Sequence, residues 1–522
     1  MTTIDRTAYP RFKRALSERD LKDVYTLSED ERALVEVSAT TEQTRLNLAL
    51  LLKSCQRLGY LPDIDAIPKR IVFHIHRQLG ILETVTPHYE WQRTLYRHHV
   101  LIRDYLDVQP YGQGGEIVAE TAMQQAVQSM MYSADLINAA IEELVRQSYL
   151  LPAFSTLNRL ANRIRSQTHQ GYFQDVTRRL TDEDQVLLDQ LLVVNEGDPY
   201  TSFTSLKRIT GRLTRANIDL TIARLKSVAS YQHLMPYLSV LPSAKVGMFA
   251  AQAHSLQVSN LLDINRPQCY TLLLCFLHHI QTALRDDLAT MLIKRMNKVR
   301  NNAKKNLDDI KREQRDMREA FIDMFAHVVH MTRQTPDNTQ LGKDVRQLVK
   351  DAGGADQLWQ DYEAMMAYHQ DNYLPLIWRN YSSYRRVLFD LVDILDIQST
   401  TQEQQLVQAL EFIQSHRYHT RKYLADDVDI SFLSQRWQNL IIDYHKGKRR
   451  YNRRHLEAAI FMTVASELKT GDLYVVDSEE YADYRQQLLS WEACKPHLEA
   501  YCKALNLPAT ASKFLVLTES VV

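Results

Sequence analysis

The 522-residue chain is poor in the residues that interrupt backbone, with only 14 glycines and 14 prolines. Scarcity of both favours long helices over sheets and tight turns. Cysteine is scarcer still: Cys55, Cys269, Cys275, Cys494 and Cys502 form no Cys-x-x-Cys pair. An odd number without pairing excludes a disulfide framework and points to a reducing compartment. Long hydrophobic runs are missing too. The most apolar stretch, 270–277, is far shorter than the roughly 20 residues that span a bilayer, so no membrane partner is expected. The first six residues, Met-Thr-Thr-Ile-Asp-Arg, lack the apolar segment of a secretory signal. Neither sign of charge is in excess, with 63 basic and 63 acidic residues. Electrostatic function must therefore come from local segregation of charge. The histidine pairs His74/His76, His278/His279 and His416/His419 have no Cys or carboxylate at metal-ligand spacing. No Ser/His/Asp or Cys/His arrangement stands out either. No catalytic residue, metal or cofactor is expected in this chain.

What is present is hydrophobic content of 45%, enough for several cores, and a length suited to about three to five domains. The densest feature is 446–454, where six of nine residues are Lys or Arg: Lys446, Lys448, Arg449, Arg450, Arg453 and Arg454. Tyr444, Tyr451, Asn452 and His455 are interleaved. Cations at that density repel one another unless an anion lies against them, and a phosphate backbone does so well. The spacing predicts a basic loop, then a helix buried through Leu456, Ala459, Ile460, Thr463, Val464 and Leu468 and stopped by Gly471. Leu473-Tyr-Val-Val reads as a short strand or extended tail. The bland alternative is a solvated charge run.

Earlier in the chain, Ser28 and Glu31 form a capping-box pattern. A helix is predicted from Thr41 to Gly59, with Leu48, Leu51, Leu52, Cys55 and Leu58 inward. A second runs from Pro68 to Gly80 and carries Lys69, Arg70 and Arg77. Helix, turn and helix are compatible with a DNA-binding unit. Pro-Tyr-Gly-Gln-Gly-Gly at 110–115 reads as a boundary. Three helices follow at 116–131, 133–147 and 155–167, with Ser133 capping the second and Ser155 and Thr156 the third. In the third, Leu157, Leu160, Ala161 and Ile164 face inward, and Arg159, Asn162, Arg163 and Arg165 outward. No acid occurs from 144 to 174. Arg and Asn are side chains that reach guanine and adenine edges bidentately, so this helix reads as a recognition helix.

Farther on, Thr181 caps a helix ending near 191–194, and 203–217 reads as a helix bearing Lys207, Arg208, Arg212 and Arg215. Residues 267–336 hold an internal stretch without Pro or Gly. Met296, Val299, Ala303, Leu307, Ile310, Met317, Phe321, Met324, Val328 and Met331 make a heptad seam with a polar break at Gln314. This is a scaffold spine or a dimer coiled coil. Residues 336–356 read as loop-rich, and 358–424 as helical.

Three blocks then carry a resemblance: Thr-Arg-Leu-Asn-Leu-Ala-Leu-Leu-Leu-Lys-Ser-Cys-Gln-Arg-Leu-Gly-Tyr-Leu-Pro at 44–62, Leu-Pro-Ala-Phe-Ser-Thr-Leu-Asn-Arg-Leu at 151–160, and 453–475. In this order they resemble the N-terminal portion of Tn3-type (class II, replicative) bacterial transposases. The resemblance implies a cytoplasmic, nucleoid-associated protein that binds the terminal inverted-repeat DNA of a transposon. It also implies a later RNase H-like domain whose Asp, Asp and Glu hold two divalent metals such as magnesium. No run of strands bearing such acids is found in this chain; Asp427, Asp429, Asp472 and Asp477 read as surface or cap residues.

The expected fold is mostly α: a multidomain array of helix-turn-helix-like DNA-binding modules joined to a long-helix scaffold. Its segments are a helical DNA-binding module at 1–110, a helix-turn-helix-like module at 111–180, and a third helical module at 181–266. A long-helix scaffold or dimerisation region at 267–400 and a helical region with the basic loop and extended tail at 401–522 complete it. The expected partners are double-stranded DNA and a second copy of the chain. A truncated end-binding repressor of transposition, and a structural helical assembly protein without DNA function, are the alternatives.

Overall fold

The computed structural model describes residues 4–504 apart from 195, 196, 198, 209, 210, 212 and 367–371. The fold is mostly α, as the shortage of glycine and proline predicts. The chain divides into two compact units, 1–207 with 231–279 and 208–230 with 280–522. No helix among the described residues is long and apolar enough to cross a membrane.

The first unit opens on a core of five helices, Glu18–Tyr25, Glu29–Ser38, Glu42–Leu58, Lys69–Leu79 and Gln92–Leu106. Thr41 caps the central helix, and Gly59 ends it at φ 69°, a left-handed position that favours glycine. Burial along this helix is wider than the predicted stripe, because neighbours on several sides cover every residue from Leu46 to Cys55. The Ser28–Glu31 capping box forms as expected. Glu31 is also buried at 4% exposure, and Lys53 Nζ lies 3.1 Å from its carboxylate.

A second core joins Gly112–Ala126, Ser133–Arg146 and Phe154–Thr177. Here several sequence expectations are corrected. The presumed break at 110–115 is helical from Gly112. Ser133 is the first helical residue and does not cap; its hydroxyl bonds Asn162 instead. Ser155 and Thr156 likewise lie inside their helix, which Ala153 precedes without a side-chain cap. That helix continues ten residues past 167, because Phe173 and Val176 extend its buried stripe. Thr181 caps Asp182–Gln190 through a capping box with Asp184. The single helix expected at 203–217 is replaced by Ser202–Leu206 and Arg215–Val228. The Thr214 hydroxyl accepts from Asn217 N and so starts a new helix where continuation was expected.

The long helix Arg266–Glu313 is 48 residues, about 72 Å. It stops at Gln314, the polar break in the heptad seam, and Arg315–Gln334 follows. Met296, Val299, Ala303 and Leu307 are buried, whereas Met317, Phe321, Met324, Val328 and Met331 are only half-buried. The stretch 336–356 is not loop-rich. Asp337 caps Asn338–Asp351 through Thr339 N, and Ala355–Met366 begins after Gly353 and Gly354.

Among the described residues the second unit also holds five short strands: β1 (Ile397–Ser399), β2 (Tyr423–Leu424), β3 (Ile442–His445), β4 (Lys448–Asn452) and β5 (Leu473–Val475). β1 pairs with β5, and β2-β4-β3 form an antiparallel sheet. β5 matches the expected strand; β1 and β2 fall where only helix was expected, too short to show a period of two. The helix Arg453–Thr470 packs against β4, β5 and helices Ile377–Tyr381, Gln405–Ser415 and Gln435–Ile441. Hence it is buried around most of its circumference, with Ala458, Phe461 and Ala465 added to the predicted face.

Candidate nucleic-acid interface

The helix Phe154–Thr177 is fixed by Leu157, Leu160, Ala161 and Ile164, all buried as their spacing requires. Arg159 and Arg163 are exposed on the other side. Arg163 Nη2 lies 3.4 Å from Glu120 Oε1, a long contact at a half-exposed pair, which competes weakly with another anion. Asn162 is turned away from solvent: its amide donates to Asn158 at 3.2 Å and accepts the Ser133 hydroxyl at 2.7 Å. Arg165 is half-buried and lines a cleft with His169.

On the helix Lys69–Leu79, Lys69 and Arg77 are exposed. Arg70 donates to Glu18 at 3.0 Å and to the Leu16 carbonyl, tying this helix to the one at Glu18–Tyr25. Glu18 and Glu83 share a cleft with Arg70 and Arg77, so this surface is less attractive to phosphate than the acid-free stretch 144–174. Lys207 is turned inward; its ammonium donates to the Leu256 carbonyl and sits 4.1 Å from the Phe203 ring centroid, and burial lowers its pKa. The Arg208 carbonyl accepts from Arg224 at 3.0 Å. Arg215 is exposed, 3.8 Å from Asp219. Arg212 lies outside the described residues.

The basic stretch at 446–454 is not a loop. It is the tip and second strand of the β3–β4 hairpin plus the first turn of the helix Arg453–Thr470. Lys446 and Gly447 form its two-residue turn with φ of 50° and 75°. Positive φ at both positions gives the twist that closes a two-residue hairpin. The base of the hairpin is anchored. Tyr451 is 1% exposed and donates its hydroxyl to Asp427 at 2.5 Å; burial pushes its pKa up to about 12. Arg450 pairs with Asp443 opposite it, Nε to Oδ2 at 2.8 Å, and its guanidinium stacks 3.9 Å from the Tyr423 ring. That pairing holds the Asp443 carboxyl below the usual range. The outer rungs, Tyr444 with Arg449 and His445 with Lys448, are exposed, as is Lys446. Arg454 is exposed with its guanidinium 5.4 Å from the Trp378 ring.

Arg453 has another place. Its side chain is only 12% exposed, with Nη1 2.9 Å from Glu457 Oε1. Arg385 closes on the same carboxylate with bonds of 2.6 and 2.8 Å. Glu457 is 1% exposed, and the wholly buried Tyr381 hydroxyl has its pKa raised by burial and then by this carboxylate. The sequence reading missed this network. The Arg453–Glu457 spacing of four was visible, but Arg385, 72 residues upstream, carries no local signal. Of the four acids considered earlier, Asp427 anchors Tyr451, Asp429 accepts Ser431 N at 2.9 Å, Asp472 accepts the Thr470 hydroxyl at 2.6 Å, and Asp477 lies 3.5 Å from Arg285. Among the described residues no three His, Cys, Asp or Glu side chains are grouped so as to hold a metal ion.

Residues 1–164 match the model of a domain of unknown function, DUF4158. The match covers both helical cores of the first unit and ends within the helix Phe154–Thr177. The chain is 20% identical over 461 residues to the transposase for transposon Tn1546 of Enterococcus faecium, covering 86% of this chain and 46% of that one. It is 19% identical to the transposase for Tn501 of Pseudomonas aeruginosa, over 91% of this chain and 48% of the relative. It is 21% identical to the transposase for transposon gamma-delta of Escherichia coli strain K12, over 93% and 48%. The chain spans about half the length of these relatives. With a DUF4158 match at its start and similarity along about nine tenths of its length, the chain is similar to the N-terminal portion of Tn3-type transposases.

Proposed function

We propose that this chain acts in DNA transposition by docking on the terminal inverted repeats of a transposon. The observation that carries the reading is similarity to transposases across 86% to 93% of the chain. The exposed cations of the helix Phe154–Thr177, Arg159 and Arg163, and of the hairpin, Lys446, Lys448 and Arg449, are the proposed contacts. The helix suits a major groove, where Arg pairs with guanine edges. The hairpin cations suit phosphates, which need charge and not sequence. Lys69, Arg77, Arg215 and Arg454 are exposed enough to add phosphate contacts. Docking of this kind is cation against phosphate and needs no metal, so chelators leave it unchanged. A homodimer in the bacterial cytoplasm is the proposed working form. It would cover Ile322, Phe325 and Val329, which are exposed on the helix Arg315–Gln334.

Fluorescence anisotropy with an inverted-repeat duplex and a random duplex, at several salt concentrations, tests the reading. Each phosphate contact should contribute about −0.9 to the log–log salt slope, and the cognate duplex should bind tighter. A slope near zero on both duplexes would sink the proposal.

A further inference from the structure

Beyond Arg163 the outward side of the helix Phe154–Thr177 turns into a cleft of about 360 Å3. Arg165, Ser166, His169, Gln170 and Phe173 line it from this helix, and Tyr132 from the residue before Ser133–Arg146. None of the described residues that line it is acidic. Behind His169 lies Lys245, 0% exposed on the helix Ser243–Ser255. Its ammonium donates to the Met130 carbonyl at 2.6 Å and lies 3.3 Å from His169 Nε2. Facing an ammonium, that nitrogen accepts, which leaves Nδ1 to carry the proton.

The same unit holds a second buried lysine for comparison. Lys53 has the Glu31 carboxylate 3.1 Å away. Among the described residues no carboxylate pairs with Lys245. The nearby charge that bears on it is another cation, Arg165, which together with burial lowers its pKa. His169 is pushed down to about 4 by burial, Lys245 and Arg165. A buried ammonium without a counter-ion is costly, and a second cation beside it adds to the cost. An anion seated in the cleft would relieve both.

We propose that this cleft is a binding site for the phosphate group of a nucleotide. The phosphate oxygens sit against the Arg165 guanidinium and the His169 imidazole, with Lys245 behind them. Tyr132 supplies aromatic surface for the attached nucleoside, and Gln170 supplies an amide that can meet a base or sugar. The phosphate belongs either to a DNA strand docked on the helix or to a free nucleoside monophosphate. Only the first of these sources rests on the function proposed above.

The test uses the whole chain with deoxyadenosine 5′-monophosphate and, separately, inorganic phosphate, each against chloride at equal ionic strength. Phosphorus NMR follows binding and thermal unfolding follows stabilisation. Both ligands should broaden the phosphorus signal and raise the unfolding midpoint. Arg165→Gln should at least halve the rise, whereas Arg146→Gln, exposed and outside the cleft, should leave it unchanged. Lys245→Met should abolish it; if that variant does not fold, Arg165→Gln decides. A duplex that displaces the nucleotide assigns the cleft to a DNA phosphate, and one that binds without displacing it assigns the cleft to a free nucleotide. No effect of either ligand on the parent, or an equal effect on Arg165→Gln, overturns the site. Binding of nucleotide with no binding of duplex would overturn the proposed function and leave the site standing.

Discussion

The helix Phe154–Thr177 and the β3–β4 hairpin with the turn that follows each carry an acid-free basic run, 144–174 and 446–454, yet they use their cations differently. On the helix, a buried stripe of Leu157, Leu160, Ala161 and Ile164 fixes orientation, so Arg159 and Arg163 are left to solvent. In the hairpin, cations themselves take part in fixing the structure. Arg450 is paired with Asp443, and Arg453 with Glu457. The cations of the outer rungs and the tip, and Arg454 in the following turn, remain exposed. A helix can orient itself with apolar residues alone, because its two faces separate over one turn. A two-stranded ribbon has too little apolar area for that, so polar anchors hold its base.

The largest expected effect breaks the hairpin's foundation. Glu457→Ala removes the buried carboxylate that Arg385 and Arg453 share and should destabilise the second unit by about 3–5 kcal/mol. Urea unfolding read by circular dichroism measures this. A loss under about 1 kcal/mol would mean that the network relaxes at little cost. On the helix, Arg163→Ala should cost roughly 1–3 kcal/mol on an inverted-repeat duplex and much less on random DNA. Equal losses on the two duplexes would make it a phosphate contact like those proposed for the hairpin.

The hairpin itself can be divided by mutation. Lys448→Ala with Arg449→Ala should make the salt slope shallower by up to about two phosphate contacts, equally on both duplexes. Arg450→Ala should leave the slope alone and lower stability instead, because its guanidinium already has Asp443 and Tyr423. A slope change from Arg450→Ala would erase the distinction between outer and inner rungs.

The smallest effect contrasts the two units through pH. His98, in the first unit, is 0% exposed beside the Tyr89 hydroxyl, and burial pushes its pKa down to about 4. Its contribution to stability is present above the ordinary value of 6.5 and is lost as pH falls toward 4. Glu467, in the second unit, is pushed up to about 7 by burial, Asp472 and Glu403. Its contribution is present below 4.5 and is lost as pH rises to about 7. Relative to the parent, His98→Gln should therefore gain stability as pH falls, and Glu467→Gln as pH rises. Thermal unfolding of both variants at pH 5 and 7 checks the opposite slopes; slopes of one sign would refute the assignment.

Much of the local structure was legible in the sequence. Ser28, Thr41, Gly59, Thr181 and Gly471 mark helix ends as their types predict. The stop at Gln314 falls on the polar residue that interrupts the seam. The misses have a common cause. Ser133, Ser155 and Thr156 have capping chemistry but lie inside helices, because burial of Ala134, Leu136 and Leu157 decides where those helices start. The reading of 446–454 as a loop missed that Asp443, just outside the window, and Asp427, farther upstream, anchor its strand.

The sequence by itself determined that the chain is helical, where many helices begin and end, and which stretches are basic. Those properties follow from residue type and spacing over a few turns. Only the tertiary structure decided which cations face solvent. Arg453 and Arg449 belong to one basic run, yet Glu457 and Arg385 enclose the first and the outer rung exposes the second. The counter-ion that settles the matter arrives from far along the chain, as Arg385 does for Glu457; for Lys245 none stands among the described residues. Charge is written locally, but its compensation is a property of the packed molecule.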